Sequence, residues 1–530
     1  MMTNNNDQKN NNTTENTLEN LQSKCLMQEQ QIEELTAKLN WYEEQFKLSK
    51  QKSFGASSEK TAINQLPLFN EAEQESDAKT PEPDLQEITY KRRKKVGKND
   101  AMFKELPVEV VEYRLSENEQ ECPKCGENLH EMSKEVRREL QIIPAQVKVV
   151  EHVRYVYACR NCEKTDTTTP VITAKMPAPV LPGSFVSPSL MAFIMQQKYG
   201  MALPLYRQEQ QFKDFGLDLS RQTLANWMIH GANNWLSIIY NRLHDHLIGE
   251  DILHADETTL QVLHEDNRQA SNTSYMWVFM TGQISRQIIL YEYQTTRASK
   301  HPCKFLDGFT GYIHTDGYAG YEKIPNVTLV GCWAHARRKF HEAMIAVPDE
   351  TSKTSLTSRE GLDYCNQLFE LEREFAHLTS EERYKKRLEQ SKPVLDAFSA
   401  WLHLKSKQVL PKSALGKAIA YCKNQWNKLE AFLLDGRLEL SNNRGERAIK
   451  PFVIGRKNWL FSNTPKGATS SAIIYSIIET AKANDLLPFY YLTYLFEQLP
   501  NIDTTNLELL DTYLPWSESL PDNCRRPQDK

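Results

Sequence analysis

A chain of 530 residues, 40% hydrophobic and 25% charged, is long enough for several folded domains of ordinary globular chemistry. Its formal net charge of −5 announces no nucleic-acid partner, so any such case rests on local basic patches. No apolar run approaches the ~20 residues of a membrane helix, and the polar N-terminus lacks the basic and apolar regions of a secretory signal, which together predict a cytoplasmic protein.

Residues 1–16 form an Asn-rich leader expected to be disordered. Over 17–63, Leu18, Leu21, Cys25, Gln28, Ile32, Leu35, Leu39, Tyr42 and Phe46 recur at alternating spacings of three and four, broken in polarity at Gln28. So narrow an apolar seam predicts a dimerising coiled coil, with an amphipathic helix packed on its own domain as the alternative. Residues 64–104 are a linker, first acidic, then carrying the basic run Lys91, Arg92, Arg93, Lys94 and Lys95. Five adjacent cations stay solvated and can also neutralise backbone phosphates.

Residues 105–170 contain Cys122-Pro-Lys-Cys125 and Cys159-Arg-Asn-Cys162, four of the ten cysteines; the other six are scattered singly. Two CxxC knuckles complete the closed tetrahedral shell of a structural Zn²⁺, so a zinc ribbon-like unit is expected. Alternating Val147, Val149, Val153, Tyr155 and Tyr157 predict a strand leading to the second knuckle. A Pro-rich linker, 171–186, separates this unit from a helical region, 187–248, opening at Ser187-Pro188. Within it a helix over Leu205 to Lys213, a turn at Phe215-Gly216 and a helix opening at Ser220 outline a helix-turn-helix that would present Arg221 and Gln222 to a major groove; an ordinary helical hairpin fits equally well.

From 249 to 350 the pattern turns to strands: Ile252 to Val262, Tyr275 to Thr281 and Gln287 to Tyr293, a helical stretch near Ser299 to Asp307, then strands Gly311 to Asp316 and Val327 to Gly331, and a helix over Ala334 to Met344. Three meander strands, a crossover helix and further strands describe a ribonuclease H-like core in which the first and fourth strands lie side by side and parallel. Asp256 follows His254 by two positions and Asp316 follows His314 by two, so each His and Asp share a strand face. Side by side, the two aspartates would repel unless a cation is shared, and hard carboxylate oxygens suit Mg²⁺ or Mn²⁺. Each also has a plain explanation, Asp256 as a strand flank and Asp316-Gly317 as a turn dipeptide. The histidines would then stand behind the ligands. Residues 351–440 read as a mostly helical insertion, 441–482 as a returning core helix and 483–530 as a C-terminal helical tail. A third carboxylate is expected from Glu446, which would otherwise complete a capping box with Asn443, or from Glu479, which would otherwise pair with Lys482.

Cations cluster around Glu446 as Arg444, Arg447, Lys450, Arg456 and Lys457, interleaved with Phe452, Trp459 and Phe461; a second cluster is Arg337, Arg338 and Lys339. Such patches suit backbone neutralisation and stacking on unpaired bases. Cys332 and His335, a lone CxxH, read as packing residues rather than metal ligands.

The chain resembles transposases of the bacterial insertion sequence sixty-six family over nearly its whole length after the leader. The resemblance rests on the heptads leading into Phe54-Gly-Ala-Ser-Ser-Glu-Lys60, the paired CxxC unit, Leu203-Pro-Leu-Tyr-Arg-Gln208, His254-Ala-Asp-Glu-Thr258, Thr315-Asp-Gly-Tyr318, Gly331-Cys-Trp-Ala-His-Ala-Arg-Arg338, Asn442-Asn-Arg-Gly-Glu-Arg447, Gly455-Arg-Lys-Asn-Trp-Leu-Phe461 and Glu479-Thr-Ala-Lys482. It implies a DDE triad of Asp256, Asp316 and Glu446, and so selects Glu446 over Glu479. It also implies a helical insertion within the 130 positions between Asp316 and Glu446. Gly445 departs from the family, which tends to carry a better helix former there, and weakens the helix start by up to ~1 kcal/mol.

The expected protein is thus a multidomain α+β enzyme with an N-terminal coiled coil, a zinc ribbon-like unit, a helical DNA-binding region and a ribonuclease H-like α/β core with a helical insertion. Its cofactors would be catalytic Mg²⁺ or Mn²⁺ and structural Zn²⁺. Its partners would be double-stranded DNA (terminal repeats and target), a second copy of itself and accessory proteins encoded by the same element, with a nucleoid-associated location. A ribonuclease H-like nuclease or junction resolvase, and an inactive zinc-containing DNA-binding regulator, are the alternatives.

Overall fold

The computed structural model describes residues 27–28, 146–158, 171–346 and 353–527. The chain divides into two compact units, and nearly all of these residues belong to the one that includes Val150–Lys530; the other is Phe54–Val149. The four knuckle cysteines, Cys122, Cys125, Cys159 and Cys162, the run from Lys91 to Lys95, and nearly all of the heptad segment lie outside the described residues.

Before the helical region there is one short ladder. Strand β1 (Val156–Ala158) pairs antiparallel with β2 (Val171–Thr173), Tyr157 opposite Ile172. The strand expected to run from Val147 to Tyr157 is therefore only its last part: Val147, Val149, Val153 and Tyr155 are all exposed, so no buried face extends the pleat. Strand β2 lies inside the stretch 171–186 expected as a linker, which here begins as a paired strand.

Ser187 caps helix α1 (Pro188–Met195), its hydroxyl accepting from the Leu190 amide with Pro188 in the first turn. Helices α2 (Leu205–Asp214) and α3 (Arg221–Gly231) follow, the second capped by Ser220, and α4 (Ser237–Ile248) leads to the sheet. Their buried faces, including Met191, Trp227, Ile239 and Leu243, join one apolar core with the sheet.

Five strands make the central sheet: β3 (Ile252–Gln261), β4 (Thr273–Thr281), β5 (Ile289–Gln294), β6 (Gly311–Thr315) and β7 (Val327–Gly331), in the order β5-β4-β3-β6-β7. The first three form an antiparallel meander, while β6 is parallel to β3 and β7 parallel to β6. Helix α5 (Lys300–Phe305) lies in the β5 to β6 crossover, and α6 (Trp333–Ala346) follows β7. Met276 to Met280 are buried without a break, as in a strand covered on both faces.

Residues 353–434 are mostly helical: α7 (Lys353–Glu374), α8 (Ser380–Lys386), α9 (Lys392–Lys405), α10 (Ala414–Asn424) and α11 (Trp426–Glu430). They share a second apolar core with α6 and β7, centred on Trp333, Phe340, Phe398 and Phe432. Arg387, fully buried, fixes the exit from this region: its guanidinium pairs with Glu372 at 2.7 Å and donates to the carbonyls of Phe432, Asp435 and Leu438 at 2.7–2.9 Å.

The chain then returns to the sheet as α12 (Asn443–Trp459) and α13 (Pro465–Ala483). Strand β5 is an edge, and α13 satisfies it: Ser476 Oγ accepts from the Tyr291 amide at 2.7 Å, and Thr480 Oγ1 both accepts from Ile289 N and donates to Ile289 O at 2.9 Å. The segment expected as a C-terminal tail is core instead. Helix α14 (Pro488–Gln498) packs on α1 with Leu492, Leu495 and Phe496 fully buried, and Asp511 of α15 (Leu507–Asp511) accepts from Arg242 at 2.6 and 2.8 Å. No helix among the described residues is long and apolar enough to cross a membrane.

Candidate active site

The parallel pairing of β3 with β6 sets His254 opposite His314, and their buried imidazoles stack 4.2 Å apart at 7°. Two residues further on, Asp256 in β3 and Asp316 just beyond β6 stand where the parallel pairing of the two strands ends. Asp316 does also form the turn that its sequence suggested. Its Oδ1 accepts from the Tyr318 amide at 3.0 Å, and Gly317 has φ +95°, a conformation that glycine adopts without strain. The Tyr421 hydroxyl of α10 donates to the Asp316 carbonyl at 3.2 Å, bracing the turn from the insertion.

Glu446, the residue expected as third carboxylate, is tied to β3 through Asn442, a fully buried residue that sequence reasoning passed over as part of a helix start. Its Nδ2 donates to the Ala255 carbonyl at 2.8 Å, so its Oδ1 is left to accept from His254 Nδ1 at 3.0 Å. Its amide donates to Cys332 Sγ at 3.2 Å. Asn442 therefore pins the first turn of α12 to β3, beside Asp256. An added Cβ on Gly445 would come within 2.9 Å of the Asn442 amide oxygen, so glycine at this position makes room for the pin.

Asn442, not Asn443, is the cap residue, its side chain makes no cap bond, and the capping box is not formed. The Glu446 carboxylate instead faces His335 Nδ1 at 3.7 Å and Arg338 at 3.5 Å. Glu479 is half of a 2.8 Å pair with Lys482, on a helix packed against β5, two strands away from β3.

Burial pushes the Asp256 carboxyl up to about 8, and the neighbouring charges of Glu257, Asp316 and Glu446 add to it. Burial raises Glu257 as well, but that residue is committed elsewhere, bonded to Arg297 at 2.8 Å and to the Tyr321 hydroxyl. Arg297 in turn lies over the Tyr318 ring, 3.8 Å from its centroid. Behind the pair of histidines, burial would raise Glu439; bonds and charge from His254 and Arg444 outweigh it and hold the carboxyl at about 2. Burial and the adjacent His254 keep His314 well below the usual imidazole range, so it is neutral. Glu257, Arg297, Glu439 and Asn442 are the site's supporting residues that the sequence did not reveal. Glu257 alone carried a signal, a second acid in the same strand.

The basic residues divide by role. Arg221 and Gln222 are exposed on the first turn of α3, and Arg447 is exposed on α12. Arg337 donates to Asn366 at 2.7 Å, Arg338 faces Glu446, and Lys339 sits 4.9 Å from the Tyr421 ring centroid. Arg456 donates to Thr259 at 3.1 Å, and Lys457 is on the surface. The interleaved aromatics are largely structural, which corrects the stacking role expected of them. Phe452 is buried and Trp459 packs against Tyr199 and Tyr475, while Phe461 is exposed. Cys332, too, is buried as a packing residue would be, but its sulfur, a His335 nitrogen and a Glu446 oxygen lie within 4.8 Å of one another.

Residues 183–470 match the family model described as "Transposase IS66 family". Flanking segments match three more: "Transposase C of IS166 homeodomain" over 41–111, "zinc-finger binding domain of transposase IS66" over 119–163 and "IS66 C-terminal element" over 476–516. Two relatives come from Sinorhizobium fredii (strain NBRC 101917 / NGR234). "Uncharacterized protein y4hP" is 32% identical over 416 residues, covering 74% of this chain and 73% of that one. "Uncharacterized protein y4jD" is 29% identical over 458 residues, covering 83% and 86%. With four matches in chain order and the principal one spanning more than half of its length, the chain belongs to the IS66 family of transposases.

Proposed function

We propose that the protein cuts DNA at the ends of a mobile element and joins the freed 3′ ends to target DNA, using Asp256, Asp316 and Glu446 on a ribonuclease H-like sheet. The observation that carries this reading is the Asp256 carboxyl. Burial and the charge of Glu257 push it up to about 8, and Asp316 and Glu446, both far away in sequence, lie close enough to add their charge to it. Such mutual repulsion is relieved by a shared cation, and three hard oxygen donors fit Mg²⁺ or Mn²⁺. When bound, the metal would supply an activated water or 3′ hydroxyl and neutralise charge on the phosphate.

The chain's own residues do the rest. Asn442 orients the turn that carries Glu446, Tyr421 braces the turn that carries Asp316, and Arg297 with Tyr321 holds Glu257 back from the cation pocket. Arg338, Arg447, Arg456 and Lys457 would receive the DNA backbone beside the carboxylates. In this reading Cys122, Cys125, Cys159 and Cys162 hold a structural Zn²⁺ in a unit that, with Arg221 and the run from Lys91 to Lys95, binds the terminal repeats. The heptad segment pairs two copies so that both ends are held together, and accessory proteins of the same element join the complex.

Asp256→Asn and Asp316→Asn should each abolish strand cleavage of an end-containing duplex while leaving its binding in a mobility-shift assay intact. Cleavage at wild-type rates in either variant would refute the assignment. Joining of cleaved ends to a target plasmid separates a transposase from a nuclease or resolvase.

A further inference from the structure

Beside α6 lies a group of side chains whose chemistry differs from that of the carboxylate edge. Cys332 immediately precedes α6 and His335 lies in its first turn, a spacing of three that turns sulfur and imidazole to one side of the helix. Glu446 reaches the same point from the first turn of α12. One donor atom from each lies within 4.8 Å of the other two. His335 Nδ1 and Glu446 Oε1 are both buried, and neither has a hydrogen-bond partner. At 3.7 Å they are too far apart to bond to each other. Buried polar atoms left facing each other in this way call for a missing partner. A cation between them and the sulfur would satisfy both.

We propose that Cys332, His335 and Glu446 form a binding site for one divalent cation of the zinc class, with its fourth position open to water. A thiolate, an imidazole and a carboxylate are a mixed, borderline-soft donor set that suits zinc and its neighbours, whereas magnesium takes oxygen donors. Burial pushes the Cys332 thiol up to about 11 and the charge of Glu446 adds to it, against the pull of the amides of Asn442, His335 and Ala334, so the sulfur carries a proton until a metal takes its place. Binding displaces that proton, so affinity falls as the pH is lowered.

The site shares Glu446 with the carboxylate edge. A zinc-class ion here would hold that carboxylate against α6 and away from Asp256 and Asp316, and so would inhibit strand cleavage. This consequence rests on the proposed role of Glu446 in cleavage; the binding itself does not.

The test adds Co²⁺ to the full-length protein whose zinc unit already carries zinc. The wild type should take up one further equivalent with a thiolate-to-cobalt charge-transfer band. Cys332→Ser should lose the band, and Asp256→Asn should keep it at unchanged affinity. Losing a group that merely orients a ligand costs about 10–100-fold in metal affinity. Removing a ligand itself, with His335→Gln, should therefore weaken binding by at least about tenfold. His335 is partly exposed, so this variant keeps the test alive if Cys332→Ser misfolds. No band in the wild type, a band retained in Cys332→Ser, or a band lost in Asp256→Asn would overturn the site.

In a cleavage assay with Mg²⁺, added Zn²⁺ should inhibit the wild type and should inhibit Cys332→Ser far less, each compared with its own zinc-free rate. If the wild type cleaves nothing, the transposase reading fails while the cobalt result still decides the metal site.

Discussion

Asp256 and Glu257 are chain neighbours with opposite fates. Glu257 spends its charge on Arg297 and Tyr321, while the Asp256 side chain is bonded to the Glu257 amide beside two other acids. With its folded carboxyl at about 8, Asp256 keeps its proton where the unfolded chain has already released its own. The stability that Asp256 contributes in magnesium-free buffer is therefore fully present below the ordinary carboxylate range and is lost as the pH rises to about 8, by up to ~1.4 kcal/mol per unit. Asp256→Asn should flatten this decline, so that thermal midpoints at pH 5 and pH 8 lie closer together than in the wild type. The two aspartates were legible in sequence because a His two residues before each, on strands of matching pattern, is a period-two signature. The Glu257 partnership was not, because Arg297 lies on a loop with no local signal linking it to β3.

Among the elements, the joint between β3 and α12 brings Glu446, and not Glu479, near Asp256. In sequence Glu446 and Glu479 each match a local helix rule, and local rules cannot rank them. The distinction is made by Asn442, whose bonds reach back to Ala255 and His254 across nearly two hundred residues. Asn442→Ala would leave the His254 Nδ1 and the Ala255 carbonyl unpaired in the interior, at a cost of about 1–3 kcal/mol each. It should lower the urea midpoint and depress strand cleavage far more than DNA binding, the pattern of a misplaced Glu446. A variant that unfolds earlier yet cleaves normally would show that this joint carries stability alone. Strand and helix boundaries in the sheet were read to within about two residues. The ladder before α1 was not, because its apolar side chains face solvent and burial sets no register there.

At the scale of the whole molecule, two apolar cores flank one sheet, and Trp333 stands where the second meets α6. Its indole donates to the Leu429 carbonyl at 2.8 Å and its ring packs against Phe398 and Trp426. Trp333→Ala should remove about 3–5 kcal/mol, seen as a lower urea midpoint in far-ultraviolet circular dichroism. A midpoint unchanged from the wild type would mean that the insertion folds without reference to α6. Periodicity identified the insertion as helical but could not say what it packs on, just as it could not show that Pro488–Gln498 returns to pack on α1. Amphipathic faces declare that they need a cover, not which cover they will find.

The hydroxyl of Tyr421 gives this arrangement a practical edge. It belongs to α10, deep within the inserted helices, yet it holds the main chain at Asp316. A miniaturised chain made by excising residues 351–440 would keep Asp256, Asp316 and Glu446 and still lose the prop under one of them, so under the proposed function this appendage is scaffolding rather than cargo to be trimmed.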